Sequence, residues 1–141
     1  RDSPMYGKTF STLGKALDPI SQDSCAFYER TALFADYDGV ANGPDEGINI
    51  AKALGDKDFV ILQNHGILTT GTMVDTTIWY FLNMEDACKS QLLAEAVGKP
   101  IVIPHETACA TRDYVANDLS AYVSFQPTVD VLWEEEPDLL D

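Results

Sequence analysis

The chain has 141 residues, of which 45% are hydrophobic and 23% charged, a composition that fits one globular domain with a buried core. Its 23 acidic residues against nine basic ones give a net charge of -14, which repels nucleic-acid phosphates and anionic lipids. With no apolar run near the ~20 residues that cross a bilayer, neither nucleic acid nor membrane is expected as a partner.

The first half of the chain alternates apolar segments with Gly, Pro and Asp, which predicts short helices and strands joined by short loops. Gly14 follows the first apolar segment, and glycine is typical of the position just after a helix. Ser21 or Asp23 can cap the next helix. The predicted order is a helix over 5–13, a helix over 21–30, a strand over 31–34, a loop over 36–44 and a helix over 44–54.

The centre of the chain is Phe59 to Gly71, where two apolar runs flank Gln63-Asn64-His65-Gly66. Such runs are typical of buried strands. A histidine at their junction has two interpretations: a core imidazole bonded to a carbonyl, or a functional group. The residues alone leave both open.

A long helix is predicted over 73–97, with an apolar stripe that runs through Phe81, Cys88 and Leu92. Glu85 falls within this stripe, where pairing in the interior is favoured over a contact with another subunit. Trp79 falls on the polar side, which suggests a subunit contact there.

The last third is predicted to hold an extended piece over 101–103, a helix over 106–117 and an acidic tail over 125–141 with a solvated charge run. His105 precedes the predicted helix, where a capping or surface role is favoured over metal ligation. Without repeats or linkers, residues 1–141 form one predicted domain. The three scattered cysteines favour a reducing, cytoplasmic location, and the start at Arg1 suggests that the domain begins upstream.

Familiar catalytic signatures are missing: the chain has no P-loop, GxGxxG, GxSxG or HExxH motif. A catalytic zinc takes about three protein ligands and one open position. His65 and His105 are the two histidines, so a metal site needs carboxylates to join them, and no spacing indicates which. No catalytic residue is predicted.

Several ordered blocks resemble the class II aldolase/adducin family. They are Tyr6-Gly7-Lys8-Thr9-Phe10-Ser11-Thr12-Leu13-Gly14, Asp18-Pro19-Ile20-Ser21-Gln22-Asp23, Leu62-Gln63-Asn64-His65-Gly66-Ile67-Leu68, Ser124-Phe125-Gln126-Pro127 and Pro137-Asp138-Leu139-Leu140. The resemblance covers essentially the whole chain as the C-terminal part of a longer domain. It implies an α/β fold, a three-layer α/β/α domain with a central, mainly antiparallel sheet, N-terminally incomplete here.

The resemblance also implies a divalent metal, typically zinc, which polarises a small hydroxylated carbonyl substrate in a homotetramer. His65 matches one metal ligand of the family, and Asn64 and Gln22 are the implied substrate-binding residues. The His-x-His pair of the family falls on Arg1 and Ser3, or with a one-residue shift on Asp2, so its histidines are replaced.

Three functional interpretations follow from this resemblance. The chain is part of a metal-dependent lyase or epimerase with His65 as a ligand. Alternatively, it is a metal-free homologue with different chemistry, as in secondary metabolism. The third interpretation is a non-catalytic oligomerisation module like the head domain of adducin.

Overall fold

The computed structural model describes residues 4–36 and 44–140. Most of the predicted loop over 36–44, and Arg1, Asp2 and Ser3, lie outside these residues. No helix in the described ranges is long and apolar enough to cross a membrane. The helices and strands are α1 (Met5–Ser11), a 3-10 helix (Asp23–Phe27), β1 (Thr31–Phe34), α2 (Pro44–Leu54), β2 (Phe59–Leu62), β3 (Gly66–Thr69), α3 (Val74–Val97), α4 (His105–Val115), α5 (Asp118–Glu135) and a final 3-10 helix (Pro137–Leu140).

The three strands form one sheet in the order β1-β2-β3. β1 runs parallel to β2, with Thr31 opposite Phe59, and β2 pairs with β3 as an antiparallel hairpin in which Leu62 lies opposite Gly66. The predicted central strand pair is therefore confirmed. The described strands make a mixed sheet, with one parallel and one antiparallel pairing.

β2 is buried along its whole length because both of its faces are covered. Successive side chains of a strand point to opposite faces. Phe59 and Ile61 accordingly pack in a core cluster with residues of α1, α3 and the first 3-10 helix, whereas Val60 and Leu62 pack in a second cluster with residues of α2. This arrangement confirms the α/β/α fold class, with helices on both faces of the sheet.

The long helix α3 forms where it was predicted, but its buried face is different. Its fully buried positions are Thr76, Tyr80, Met84, Ala87, Cys88 and Gln91. The predicted stripe through Phe81 and Leu92 is thus rotated by about one residue, or roughly 100°. Hydropathy alone misplaces this face, because it does not predict that the polar residue Gln91 is buried. Both ends of the Gln91 amide are hydrogen-bonded to Asp18: Oε1 accepts from the Asp18 N–H at 2.9 Å, and Nε2 donates to Asp18 Oδ2 at 2.7 Å.

Trp79 corrects a second expectation about α3. It is half-buried against the main core cluster, with its ring 5.1 Å from that of Tyr80, instead of exposed on a polar face. The inferred subunit contact at Trp79 therefore loses its basis.

Two local predictions also change. The segment over 21–30 contains a five-residue 3-10 helix where a longer helix was expected. The segment predicted as a tail is mostly helix α5, which Asn117 caps by accepting from the Ser120 N–H at 2.9 Å. The acidic run Glu134–Glu136 is exposed, as predicted.

Candidate functional site

His65 lies in the turn that joins β2 and β3, and it is exposed. Asn64 has a φ of 61°, a left-handed conformation that asparagine tolerates better than most residues. The His65 N–H donates to the Leu62 carbonyl at 2.9 Å, and the Asn64 N–H donates to the Ser11 carbonyl at 3.3 Å. The turn is thereby fastened to the end of α1, and the imidazole is a surface group, which excludes the core interpretation.

The His65 side chain opens onto a solvent-accessible hollow of about 340 Å³. We refer to it as the His65 hollow. It is lined by Pro4, Lys8, His65, Gly66, Ile67 and Phe81. A larger hollow of about 650 Å³ along α1 and α3 shares Pro4, Lys8 and Phe81 with it. Through these shared residues the two hollows form one groove, which offers an ammonium group, an imidazole and apolar walls, with the carboxylates of Glu85 and Asp86 in the larger hollow.

Glu85 of α3 fixes the position of α1 beside this groove. Its Oε1 accepts from the Tyr6 N–H and its Oε2 from the Gly7 N–H, each at 2.6 Å. These N–H groups have no partner within the helix because they lie in its first turn, so the carboxylate also interacts favourably with the helix dipole. The prediction that Glu85 is paired is confirmed, with two backbone N–H groups as its partners, but the side chain is half-buried at the edge of the groove and not in the interior.

Gly7 is required for this close approach of α1 to α3. A Cβ at Gly7 would lie 2.7 Å from Glu85 Oε2 and 2.9 Å from two carbon atoms of Ile67. Lys8, the next residue, lines the hollow as a result of this packing.

The residues around His65 do not complete a metal site by themselves. A catalytic zinc takes about three protein ligands. In the described ranges, His65 belongs to no group of three potential His, Cys, Asp or Glu ligands, and Lys8 on the same hollow would repel a cation. The positions that the family resemblance assigns to the other ligands, 1 to 3, lie outside the described residues.

Gln22 lines a different hollow. This second hollow, of about 360 Å³, lies against α4 and is lined by Gln22, Thr107, Ala110, Thr111, Tyr114 and Val115. Within one chain, Gln22 and His65 are therefore not brought to one hollow, whereas Asn64 directly precedes His65 and is exposed. The substrate-binding roles of Gln22 and Asn64 stay predictions.

Sequence reasoning missed two features. One is Lys8 beside His65, because their proximity depends on how α1 packs on β3. The other is a group of three potential metal ligands, Glu29, His105 and Cys109, on other elements of the fold. The spacing of His105 and Cys109, four residues apart, was the visible signal, since it places both on one face of a helix.

Comparison with known proteins gives consistent results. The family model described as Class II Aldolase and Adducin N-terminal domain matches residues 3–92. The decarboxylase NovR of Streptomyces niveus is 37% identical over 135 residues, which cover 96% of this chain and 50% of that protein. A 4-hydroxy-3-prenylphenylpyruvate oxygenase/4-hydroxy-3-prenylbenzoate synthase of Streptomyces roseochromogenus is 36% identical over 135 residues, 96% of this chain and 49% of that protein.

Among solved structures, the L-fuculose 1-phosphate aldolase of Glaciozyma antarctica matches with a TM-score of 0.85 and 38% identity. The match covers 95% of this chain and 50% of that one. This chain thus spans about half the length of the curated relatives that it matches.

Proposed function

We propose that this chain, which belongs to the class II aldolase and adducin family, carries the substrate site of a carbon–carbon lyase that acts on a small anionic carbonyl compound. One observation carries the proposal: exposed His65 shares a solvent-open hollow with Lys8. In a chain with a net charge of -14, a lysine at such a hollow is a specific means of attracting an anion.

The chemistry of carbon–carbon cleavage fits these groups. Breaking a bond next to a carbonyl leaves an electron pair that delocalises onto oxygen, so the transition state gains negative charge there. Hydrogen-bond donors and cations directed at that oxygen lower the barrier. Lys8 offers three N–H donors and a positive charge, and the imidazole of His65 can donate, or accept a proton. Ile67 and Phe81 provide apolar walls for the body of the substrate.

The names of the relatives support this reaction class. One is a decarboxylase and another an aldolase, and decarboxylation and aldol cleavage both break a carbon–carbon bond. The names also suggest two substrate types to assay, an arylpyruvate and a sugar 1-phosphate. Both carry an anionic group that Lys8 could bind.

The metal dependence of the reaction is a separate question within this proposal. A bound divalent ion would act as a Lewis acid on the substrate oxygen. His65 would be one ligand, and the others would lie outside the described residues. The Lys8 charge beside His65 favours the metal-free form. Elemental analysis decides between the two forms: stoichiometric metal that is lost in His65→Ala supports the metal-dependent form, and no metal in either protein supports the metal-free form.

Kinetics with matched variants test the proposal itself. Lys8→Gln removes the charge from the hollow, and Lys52→Gln makes the same change on α2, across the sheet. A hydrogen bond to a charged group contributes about 1.5–3 kcal/mol, so we expect kcat/KM for the arylpyruvate or the sugar 1-phosphate to fall by about 10- to 100-fold in Lys8→Gln. The Lys52→Gln control should match the unmodified protein.

Two results would contradict the proposal. Equal kcat/KM values in Lys8→Gln and Lys52→Gln would show that the charge at the hollow binds no substrate. An absence of turnover with either compound, together with no binding of them, would favour the non-catalytic, adducin-like module.

We also propose that the chain forms a homo-oligomer through the outer side of α3. Its exposed apolar side chains support this: Val74, Ile78, Leu82 and Leu93 are each more than 40% exposed. Light scattering at micromolar concentration tests the proposal, and the mass of a monomer would contradict it.

A further inference from the structure

Three side chains that bind metals well converge away from the His65 hollow. His105 and Cys109 lie one turn apart on α4, and Glu29 approaches them from the segment between the first 3-10 helix and β1. One ligand atom from each lies within 4.8 Å of those of the other two. We refer to Glu29, His105 and Cys109 as the three-ligand cluster.

The spacing of the ligand atoms suits a tetrahedral ion. Cys109 Sγ lies 3.7 Å from Glu29 Oε2 and 3.9 Å from His105 Nε2. In a tetrahedral zinc site with Zn–S of about 2.3 Å and Zn–N or Zn–O of about 2.0–2.2 Å, the ligand atoms are roughly 3.4–3.6 Å apart. The ligand atoms of the cluster, all within 4.8 Å of one another, would reach these distances by side-chain movement.

Tyr28 orients the imidazole of His105. Its hydroxyl lies 3.1 Å from His105 Nδ1, and the two rings pack edge to face with centroids 5.8 Å apart. A metal-bound histidine commonly donates its other ring N–H to such a partner, which fixes the tautomer. With Nδ1–H donating to Tyr28, Nε2 is the nitrogen that faces an ion.

The charges around the three-ligand cluster also suit a divalent cation. Arg112 contacts Glu29 Oε2 at 3.4 Å and Asp113 Oδ1 at 2.9 Å. With the Cys109 thiol ionised, three negative groups face the single positive charge of Arg112. A divalent cation would neutralise the excess.

We propose that the three-ligand cluster binds one thiophilic divalent ion, with zinc the best match. A thiolate and an imidazole select zinc over magnesium or calcium, which prefer oxygen ligands. The site joins α4 to the segment before β1, so a bound ion would stabilise the folded chain, and tighter binding would stabilise it more. It is independent of the His65 hollow and of the proposed lyase activity.

Cobalt titration of the purified chain tests the site, because Co²⁺ bound to a thiolate gives a charge-transfer absorption band. Cys25 and Cys88 are buried, so the band would report Cys109. We expect a band that saturates at one Co²⁺ per chain, is displaced by Zn²⁺, and is absent in Cys109→Ser. Tyr28→Phe should weaken Zn²⁺ binding about 10-fold, because it removes the group that orients the ligand.

Glu106→Gln is the matched control, since Glu106 is exposed next to His105 and lies outside the cluster. It should keep the band, and so should His65→Ala, which separates this site from any metal bound at the His65 hollow. Zn²⁺ should also slow alkylation of Cys109 in the unmodified chain, a readout that needs no folded variant. A missing band, a band that persists in Cys109→Ser, or equal alkylation rates with and without Zn²⁺ would overturn the proposal.

Discussion

Replacing Gly7 with alanine tests whether the close contact between α1 and α3 is as tight as described. The added Cβ would lie 2.7 Å from Glu85 Oε2 and 2.9 Å from Ile67. Overpacking of this kind costs about 1–3 kcal/mol, although alanine gains up to about 1 kcal/mol over glycine in a helix. We expect Gly7→Ala to lower the free energy of unfolding, measured by urea denaturation, by about 1–2 kcal/mol.

Gly47→Ala is the matched control for this prediction. Gly47 lies in α2, and a Cβ there would meet no atom within 4 Å, so alanine should raise the free energy of unfolding by up to about 1 kcal/mol. Ile67→Val removes one of the two crowded carbon atoms and should partly rescue Gly7→Ala in a double-mutant cycle. A Gly7→Ala chain as stable as Gly47→Ala would refute the described packing of α1.

Two further predictions concern ionisable groups. Hydrogen bonds from Lys15 and Gln91 hold the pKa of Glu95 below its ordinary value of 4.5, so the stability they provide is complete above that pH and lost as pH falls through the lower pKa. The free energy of unfolding should therefore fall less between pH 5 and pH 3 in Glu95→Gln than in the unmodified chain. The difference should be under about 1 kcal/mol, because Lys15 and Glu95 are both partly exposed. Equal slopes in the two proteins would contradict this prediction. Burial and the nearby Glu85 charge raise the pKa of Cys88 to about 12. Since Cys25 is also buried, iodoacetamide at pH 8 with a chelator should label Cys109 alone. Mass spectrometry would contradict this prediction by finding Cys88 labelled in the folded chain.

Local sequence signals located the central hairpin well. The runs before and after Asn64 are apolar and bounded by polar turn residues, and a strand with both faces covered reads as continuous apolar sequence. The Pro44–Leu54 helix was equally clear from its acidic start and apolar face. Each of these signals lies within a few neighbouring residues.

Features that depend on distant partners were not predictable. The buried face of α3 includes Gln91, whose burial is possible because Asp18 satisfies its amide. Helix α5 was missed because Pro127 and the acidic end of the segment argue against a helix when neighbouring elements are ignored.

The candidate site was predictable only in part. The resemblance identified His65, but its exposure and its proximity to Lys8 follow from the packing of α1 against β3. Glu29 and Cys109 are 80 residues apart, so no local pattern connects them. Gln22 was assigned from the resemblance, and within one chain it lines another hollow.

Titration of the ¹⁵N-labelled chain with phenylpyruvate, followed by NMR, tests most directly whether the His65 hollow is the substrate site. We predict saturable shifts at Lys8, Gly66 and Ile67, which are reduced in Lys8→Gln and retained in Lys52→Gln. Saturable shifts confined to the hollow of Gln22 and Thr107, or shifts at the His65 hollow that are the same in Lys8→Gln, would contradict the account.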